Sequence, residues 1–356
     1  MRTIIIFFSL FIILVEISLV SCSRSERVIN FDRNLKESIE PELVCKLLED
    51  SILLDNIRDF SILSDTTFVV VDSRGAYLYH TSGFFKKQLA NPGQTKGEIF
   101  SPSKIYATHN FVYIWCSSLM KIMIFNHEGN YIDEISDLKV GVKKIFVDSK
   151  DEVLYYYTNG AFNELKNKVV DVIYAYNIAE KSFKKIGERS GEDEVLSVWN
   201  NSGGIFVDTN KIYYLNPGNL IIYNLDLNSD KTVRYQIEDK SFKRGEIEDF
   251  RSTINNKTKL HDYIMHSSFA RGLYKDNGQF IIVSEIGQFN EQNADPKDRK
   301  IKLYILDSLF SPKHTIIYDY INSPNIIIHS GSMYFLKFNL TDDDQEITLN
   351  RFSLLE

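Results

Sequence analysis

Short runs of aromatic and β-branched residues recur from about residue 60 to the end of the chain, in pairs separated by polar turns. The first members of the pairs are Phe68–Asp72, Val112–Cys116, Val153–Tyr157, Ile212–Leu215, Phe280–Ser284 and Met333–Leu336. Their partners are Ala76–His80, Lys121–Asn126, Val172–Asn177, Leu220–Asn224, Ile301–Leu306 and Thr348–Phe352. Such composition favours strands, and Gly-containing turns such as Thr81-Ser82-Gly83 and His127-Glu128-Gly129-Asn130 between them are hairpin signals. Most pairs are followed by a third strand. Each is preceded by one more short run: Phe60–Leu63, Lys104–Tyr106, Lys144–Val147, Gly204–Val207, Gly272–Tyr274 and Asn325–Ile328.

Four-stranded units repeated around an axis are propeller blades. The pattern therefore predicts an all-β chain, a six-bladed β-propeller with four-stranded blades. The sequence stops at Glu356, just after the third strand of the last unit. An N-terminal strand is expected to close that blade, which leaves no open edge there. The candidate is Val28–Phe31.

The N-terminus has a different character. Arg2 precedes an apolar run from Ile4 to Val15, which Glu16 interrupts. The run is shorter than the ~20 residues a spanning helix needs, and reads as a secretory signal. It ends in Leu19-Val20-Ser21-Cys22, which resembles the lipobox of bacterial lipoproteins. That resemblance implies cleavage before Cys22 and acylation of its thiol, an anchor whose strength grows by ~0.8 kcal/mol per buried CH₂. The expected organisation is a signal peptide over 1–21, a lipidated tether over 22–27 and a propeller over 28–356. Ser23 after the cysteine resembles the outer-membrane sorting pattern, so the expected location is the cell envelope, on an outer-membrane lipoprotein facing the periplasm.

Gly-Glu pairs follow outer strands at Gly97-Glu98, Gly191-Glu192 and Gly245-Glu246. The first closes Gly93-Gln94-Thr95-Lys96-Gly97-Glu98, which resembles the G-x-G-P-G-E turn of bacterial TolB-like and NHL-like six-bladed propeller lipoproteins. Thr95 and Lys96 depart from that pattern. The resemblance implies fold and location more than activity.

Cleavage would remove one Arg and one Glu, so the formal net charge of −7 is unchanged. An acidic chain lacks the clustered basic face of a nucleic-acid binder, and no nucleic-acid partner is expected. Cys45 and Cys116 would be the cysteines left beside the lipidated one. Two cysteines make no disulfide framework, and unpaired buried thiols are expected.

In an up-and-down propeller, strands A to D run from channel to rim, and the D–A and B–C connections share one face. The long insertions 158–171, 238–268 and 285–299 all fall there. Long loops in a compact domain are functional more often than short ones, so this insertion face is the expected binding surface. Within 238–268, Phe250, Ile254, Leu260 and Ile264 suggest a partly helical segment that could be a lid or could simply pack on the rim. At the start of the A strands stand Arg58, Lys104, Lys144 and Arg271, on or near the same face. A ring of cations in a cleft concentrates field on an anion, so these four are the candidate ligand-binding residues.

No enzymatic motif was found. Asp226-Leu227-Asn228-Ser229-Asp230 resembles the start of an EF-hand loop, but Lys231 and Ile237 stand where Gly and Glu are required, and a hairpin turn is expected. Asp342–Asp344 reads as a solvated loop. His261 and His266 are five apart and do not share a helical face. A P-loop, H-E-x-x-H and G-x-S-x-G are absent from the sequence. Trp115, Tyr156, Tyr157 and Trp199 could stack on sugars, but packing is the expected role. No catalytic residues, metal ligands or cofactors are assigned. The expected function is that of a membrane-anchored envelope binding or scaffold protein for a protein, peptide or glycan partner. A channel-mouth enzyme, either a metal-assisted lactonase-like hydrolase or a glycan lyase, is the alternative.

Overall fold

The structure is a computed structural model. It describes residues 25–354 except 32–34, 37–39, 48–53, 55, 137, 139–140, 149, 151, 159–161, 164–167, 191–202, 230, 247–248, 250–251, 254, 288–297, 320, 322 and 341–344. Cys22, Gly191-Glu192, Trp199 and Asp342–Asp344 lie outside the described residues.

Six separate antiparallel sheets form a six-bladed β-propeller. Blade one comprises Asp59–Ser64, Thr67–Val71, Ala76–His80 and Phe85–Ala90, in the order A to D. Blades two to five repeat this plan, with A strands Pro102–Ala107, Val142–Val147, Gly204–Asp208 and Phe269–Asp276. Blade six supplies Ile326–His329, Ser332–Leu340 and Gln345–Ser353.

The near-continuous apolar runs of the inner strands follow from this architecture. Each blade packs a neighbour on both faces, so successive side chains feed opposite interfaces. Val69 and Val71 enter the cluster shared with blade two, and Phe68 and Val70 the cluster shared with blade six. One apolar cluster fills each of the six blade–blade interfaces. Fully burying one such side chain contributes roughly 1.5–3 kcal/mol, so the ring is held by many equivalent layers. Trp115, Tyr156 and Tyr157 are buried in these layers, as packing residues.

Three strands precede blade one: β1 (Ser25–Asn30), β2 (Leu35–Lys36) and β3 (Glu42–Lys46). An N-terminal strand does close the last blade, but it is β3, antiparallel to Gln345–Ser353 with Leu349 opposite Cys45. The assignment of Val28–Phe31 to that position is corrected. Val28–Asn30 belong to β1, which adds in parallel to the outer strand of blade four, with Ile29 opposite Ile237. β2 adds likewise to blade five. The N-terminal segment thus visits the rims of blades four, five and six in turn. Sequence alternation alone could not choose among these edges, because β1 and β3 both offer short runs with one buried face.

Cys45 and Cys116 are free and buried. Residues 158–171 are partly regular: the C strand of blade three begins at Lys168, and Phe162–Asn163 pairs with it. Asp226 makes the expected hairpin turn, its Oδ1 accepting from the amides of Asn228 and Ser229.

Candidate functional site

The six A strands line a central cavity of about 240 Å³. Gly204 marks a tight approach in its wall: a Cβ there would lie 2.4 Å from the Leu273 backbone nitrogen, so any larger residue would push blades four and five apart. Asp59, Lys104, Lys143, Lys144, Tyr274 and Asn325 are among the lining residues.

Asp59 is the fixed point of this site. It is buried, and its carboxylate joins three blades. Oδ1 accepts from its own neighbour's amide, Phe60 N, at 2.9 Å and from Asn325 Nδ2 of blade six at 2.7 Å. Oδ2 accepts from the Ile105 amide of blade two at 3.1 Å. Those donors hold the charge in place without using a cationic side chain.

The cations stand around it. Lys104 is buried and Lys144 is half-buried. Neither ammonium forms a hydrogen bond or an ion pair with another described residue. The Lys144 ammonium is depressed from its ordinary 10.5 to about 7. Burial is the main cause, repulsion from Lys104 comes next, and Arg271 and Lys143 add to it, while Asp59 opposes the shift. Lys143 turns away, its ammonium lying 5.6 Å from the Tyr157 ring centroid.

The four residues expected from the sequence therefore divide. Lys104 and Lys144 line the cavity together, and the field of Arg271 reaches Lys144. Arg271 itself is engaged at the junction of blades five and six: Nη2 donates to the Ser323 carbonyl at 2.5 Å, and Nη1 faces Glu285 Oε2 at 3.4 Å. Arg58 is directed to Ser101 Oγ at 3.4 Å and is not among the cavity-lining residues. Sequence reasoning missed Asp59, Asn325 and Tyr274. The available signal was positional, since each stands in an inner strand or immediately before one. Tyr274 donates its hydroxyl to the Ile326 carbonyl, and burial pushes its pKa up.

The insertion 238–268 is anchored at both ends. Ser268 N donates to Lys243 O at 2.7 Å and Gly245 N to Ser267 Oγ at 2.9 Å. Helix α1 (Lys257–His266) is capped by Asn256 Oδ1, which accepts from Thr258 N and Lys259 N. Leu260 and Tyr263 pack on Phe269. Of the expected apolar stripe, Leu260 and Ile264 lie in this packing, whereas Phe250 and Ile254 fall outside the described residues. Buried Arg299 receives the end of the helix, donating to the carbonyls of Ile264, Met265 and Ser267 at 2.9, 2.8 and 2.7 Å, and it pairs with Glu285. His266 Nδ1 lies 2.8 Å from the Asp262 carbonyl oxygen. The described residues contain no group of three or more potential metal ligands.

The Gly-Glu turn after blade one is structural. Glu98 Oε2 accepts from the Thr95 amide at 2.9 Å and folds over Gly93, where a Cβ would lie 2.0 Å from the same oxygen.

No family model matches the chain. No curated protein matches it either. Solved structures do share its fold. A Bacteroides fragilis protein described as a candidate exported protein superposes with a TM-score of 0.59 at 15% identity, over 92% of this chain and 99% of the other. A member of the DUF4221 family from Bacteroides vulgatus gives 0.60 at 9% identity, over 88% and 98%. At these identities the likeness establishes the fold.

Proposed function

We propose that this protein is an exported, lipid-anchored binding protein of the cell envelope that holds an anionic, carboxylate-bearing ligand at its channel. The observation that carries this reading is the pair Lys104 and Lys144. Two ammonium groups stand in one cavity of an acidic protein, with no described counter-ion in contact and a third cation, Arg271, close enough to be felt. Keeping like charges together out of bulk water costs free energy in the empty state. An anion entering the cavity relieves that cost and gains charge-assisted hydrogen bonds. Asp59 orients the site from the adjacent blade one and limits how much negative charge it accepts. The insertion face supplies the approach, with α1 fixed beside it by Arg299.

Export and anchoring are supported by the signal-like residues 1–21 and by Cys22 in a lipobox-like context. The Bacteroides fragilis protein with the same fold is consistent with export. An acidic sugar and an acidic peptide share the carboxylate that the site recognises. Thermal shift with oligogalacturonate, its neutral methyl ester and short acidic peptides tests the reading. A ligand at 100 times its dissociation constant stabilises by about 2.7 kcal/mol. Stabilisation by a carboxylate ligand that the ester does not share, and that is lost in Lys104→Ala/Lys144→Ala, is expected. Equal stabilisation of both proteins would overturn the assignment.

A further inference from the structure

The route of the N-terminal strand bears on how the molecule sits on its membrane. β1 is parallel to the outer strand of blade four, Thr232–Glu238, and Ser25 pairs with Val233, one residue past that strand's start. A D strand starts beside the C–D turn, on the face opposite the insertions. The chain therefore enters the propeller at the turn face, and Asn30, opposite Glu238, reaches the insertion face. Ser25 is three residues from Cys22. An extended chain spans at most ~3.6 Å per residue, so the tether reaches roughly 10 Å. A propeller held so closely cannot present its insertion face to the bilayer.

The large apolar side chains left exposed are distributed unevenly. Phe84 is 62% exposed in the C–D turn of blade one, and Leu309 is 76% exposed in that of blade five. Ile132 and Phe183 stand at the second residue of the D strands of blades two and three, and Leu43 at the second residue of β3, in the D position of blade six. Each of these five is at or next to the turn face, one per blade, and the remaining blade, blade four, carries the tether. Of the other exposed large apolar residues among the described ones, Phe100 lies in a D–A connection and Val28 midway along β1. Apolar exposure gathered on one face marks an interaction surface, where scattered single residues would not.

We infer that the turn face is a membrane-docking surface, on which Phe84, Leu309 and their neighbours enter the headgroup region of the bilayer while the insertion face and channel mouth point away from it. This rests on the reading of Cys22 as the anchor. The exposed charges between the apolar residues are of both signs, Lys86, Lys231 and Lys313 against Asp65, Glu128 and Glu180. Attachment is therefore apolar, and high salt leaves it in place.

The test uses the acylated chain in phosphatidylethanolamine/phosphatidylglycerol vesicles, with an environment-sensitive dye on Leu309→Cys, on Phe84→Cys, or on Lys257→Cys at the start of α1. Positions 309 and 84 should shift to the blue and be quenched by bilayer-embedded spin label, at low and high salt, while position 257 does neither. Equal signals at all three positions would overturn the inference, as would a signal at 257 alone. The anchor reading is checked separately by the mass of the mature N-terminus. Should Cys22 prove unmodified, the mature chain carrying Cys22→Ser and an N-terminal histidine tag on nickel-chelating lipid tests the docking face by itself. There, a blue shift and quenching at positions 309 and 84 but not at 257 support the face, and their absence refutes it.

Discussion

Asn325, immediately before the first strand of the last blade, donates its Nδ2 to Oδ1 of Asp59, the first residue of the first blade, at 2.7 Å across 266 positions of sequence. The same carboxylate accepts from the Ile105 amide of blade two. β3 closes the ring at its rim, and Asp59 closes it at the channel. Replacing Asp59 by Ala strands three donors, the amides of Phe60 and Ile105 and the Asn325 side chain, and each buried one costs about 1–3 kcal/mol when left unsatisfied. Thermal unfolding should show a midpoint lower by several degrees, at about 2–4 °C per kcal/mol. Asp59→Asn, which keeps an acceptor oxygen, should lose less.

Lys144 gives stability a pH dependence of unusual sign. Its pKa is about 7 when folded and 10.5 ordinarily. Between those values the unfolded chain binds a proton that the folded chain does not, so this residue makes stability rise with pH over that window. Below about pH 7 both states are protonated and the penalty is present in full. Lys144→Met should raise the melting temperature most at pH 6 and least near pH 10, measured at fixed ionic strength.

Arg299 joins α1 to the blade-five insertion through three carbonyls and the buried Glu285. Arg299→Met leaves that carboxylate with Arg271 alone and the end of the helix without its donors. Breaking a buried pair in this way costs about 3–5 kcal/mol. Hydrogen exchange should accelerate in residues 257–268 well before the blade strands are affected. Uniform acceleration across all six blades would show that the helix is not a separately anchored strap.

The two buried thiols should be silent. Burial pushes both Cys45 and Cys116 up to about 11. Little thiolate is present at pH 8, so iodoacetamide should leave both unmodified in the native protein and label both in denaturant. Rapid native labelling of Cys45 would mean that β3 opens readily from the last blade.

The propeller was legible because its blades repeat a pattern that packing enforces. Strands buried on both faces, such as Phe68–Val71 and Val112–Cys116, cannot be written without continuous apolar runs. The closing strand was misassigned because strands at the rim have one buried face and little to distinguish them. Ile29 and Cys45 are both buried in short, otherwise exposed strands, and only the long-range register separates them. At the site, Lys104 and Lys144 were found from their place at the start of inner strands. Arg58 and Arg271 share that place but point between blades, a choice fixed by Ser101, Ser323 and Glu285 from distant parts of the chain. Asp59 escaped notice because its role is to accept from Ile105 and Asn325, and neither contact leaves a trace in local sequence.

Calorimetric titration of the channel with oligogalacturonate between pH 6 and 9 tests the central claim most directly. A bound carboxylate favours the charged form of Lys144, so binding above pH 7 must draw in a proton, and affinity must fall as pH rises through that value. The predicted result is a binding heat that depends on the ionisation enthalpy of the buffer at pH 8, with uptake approaching one proton per ligand, and loss of that dependence in Lys144→Met. Carboxylate binding of unchanged strength across the range, with no proton uptake in either protein, would contradict the account.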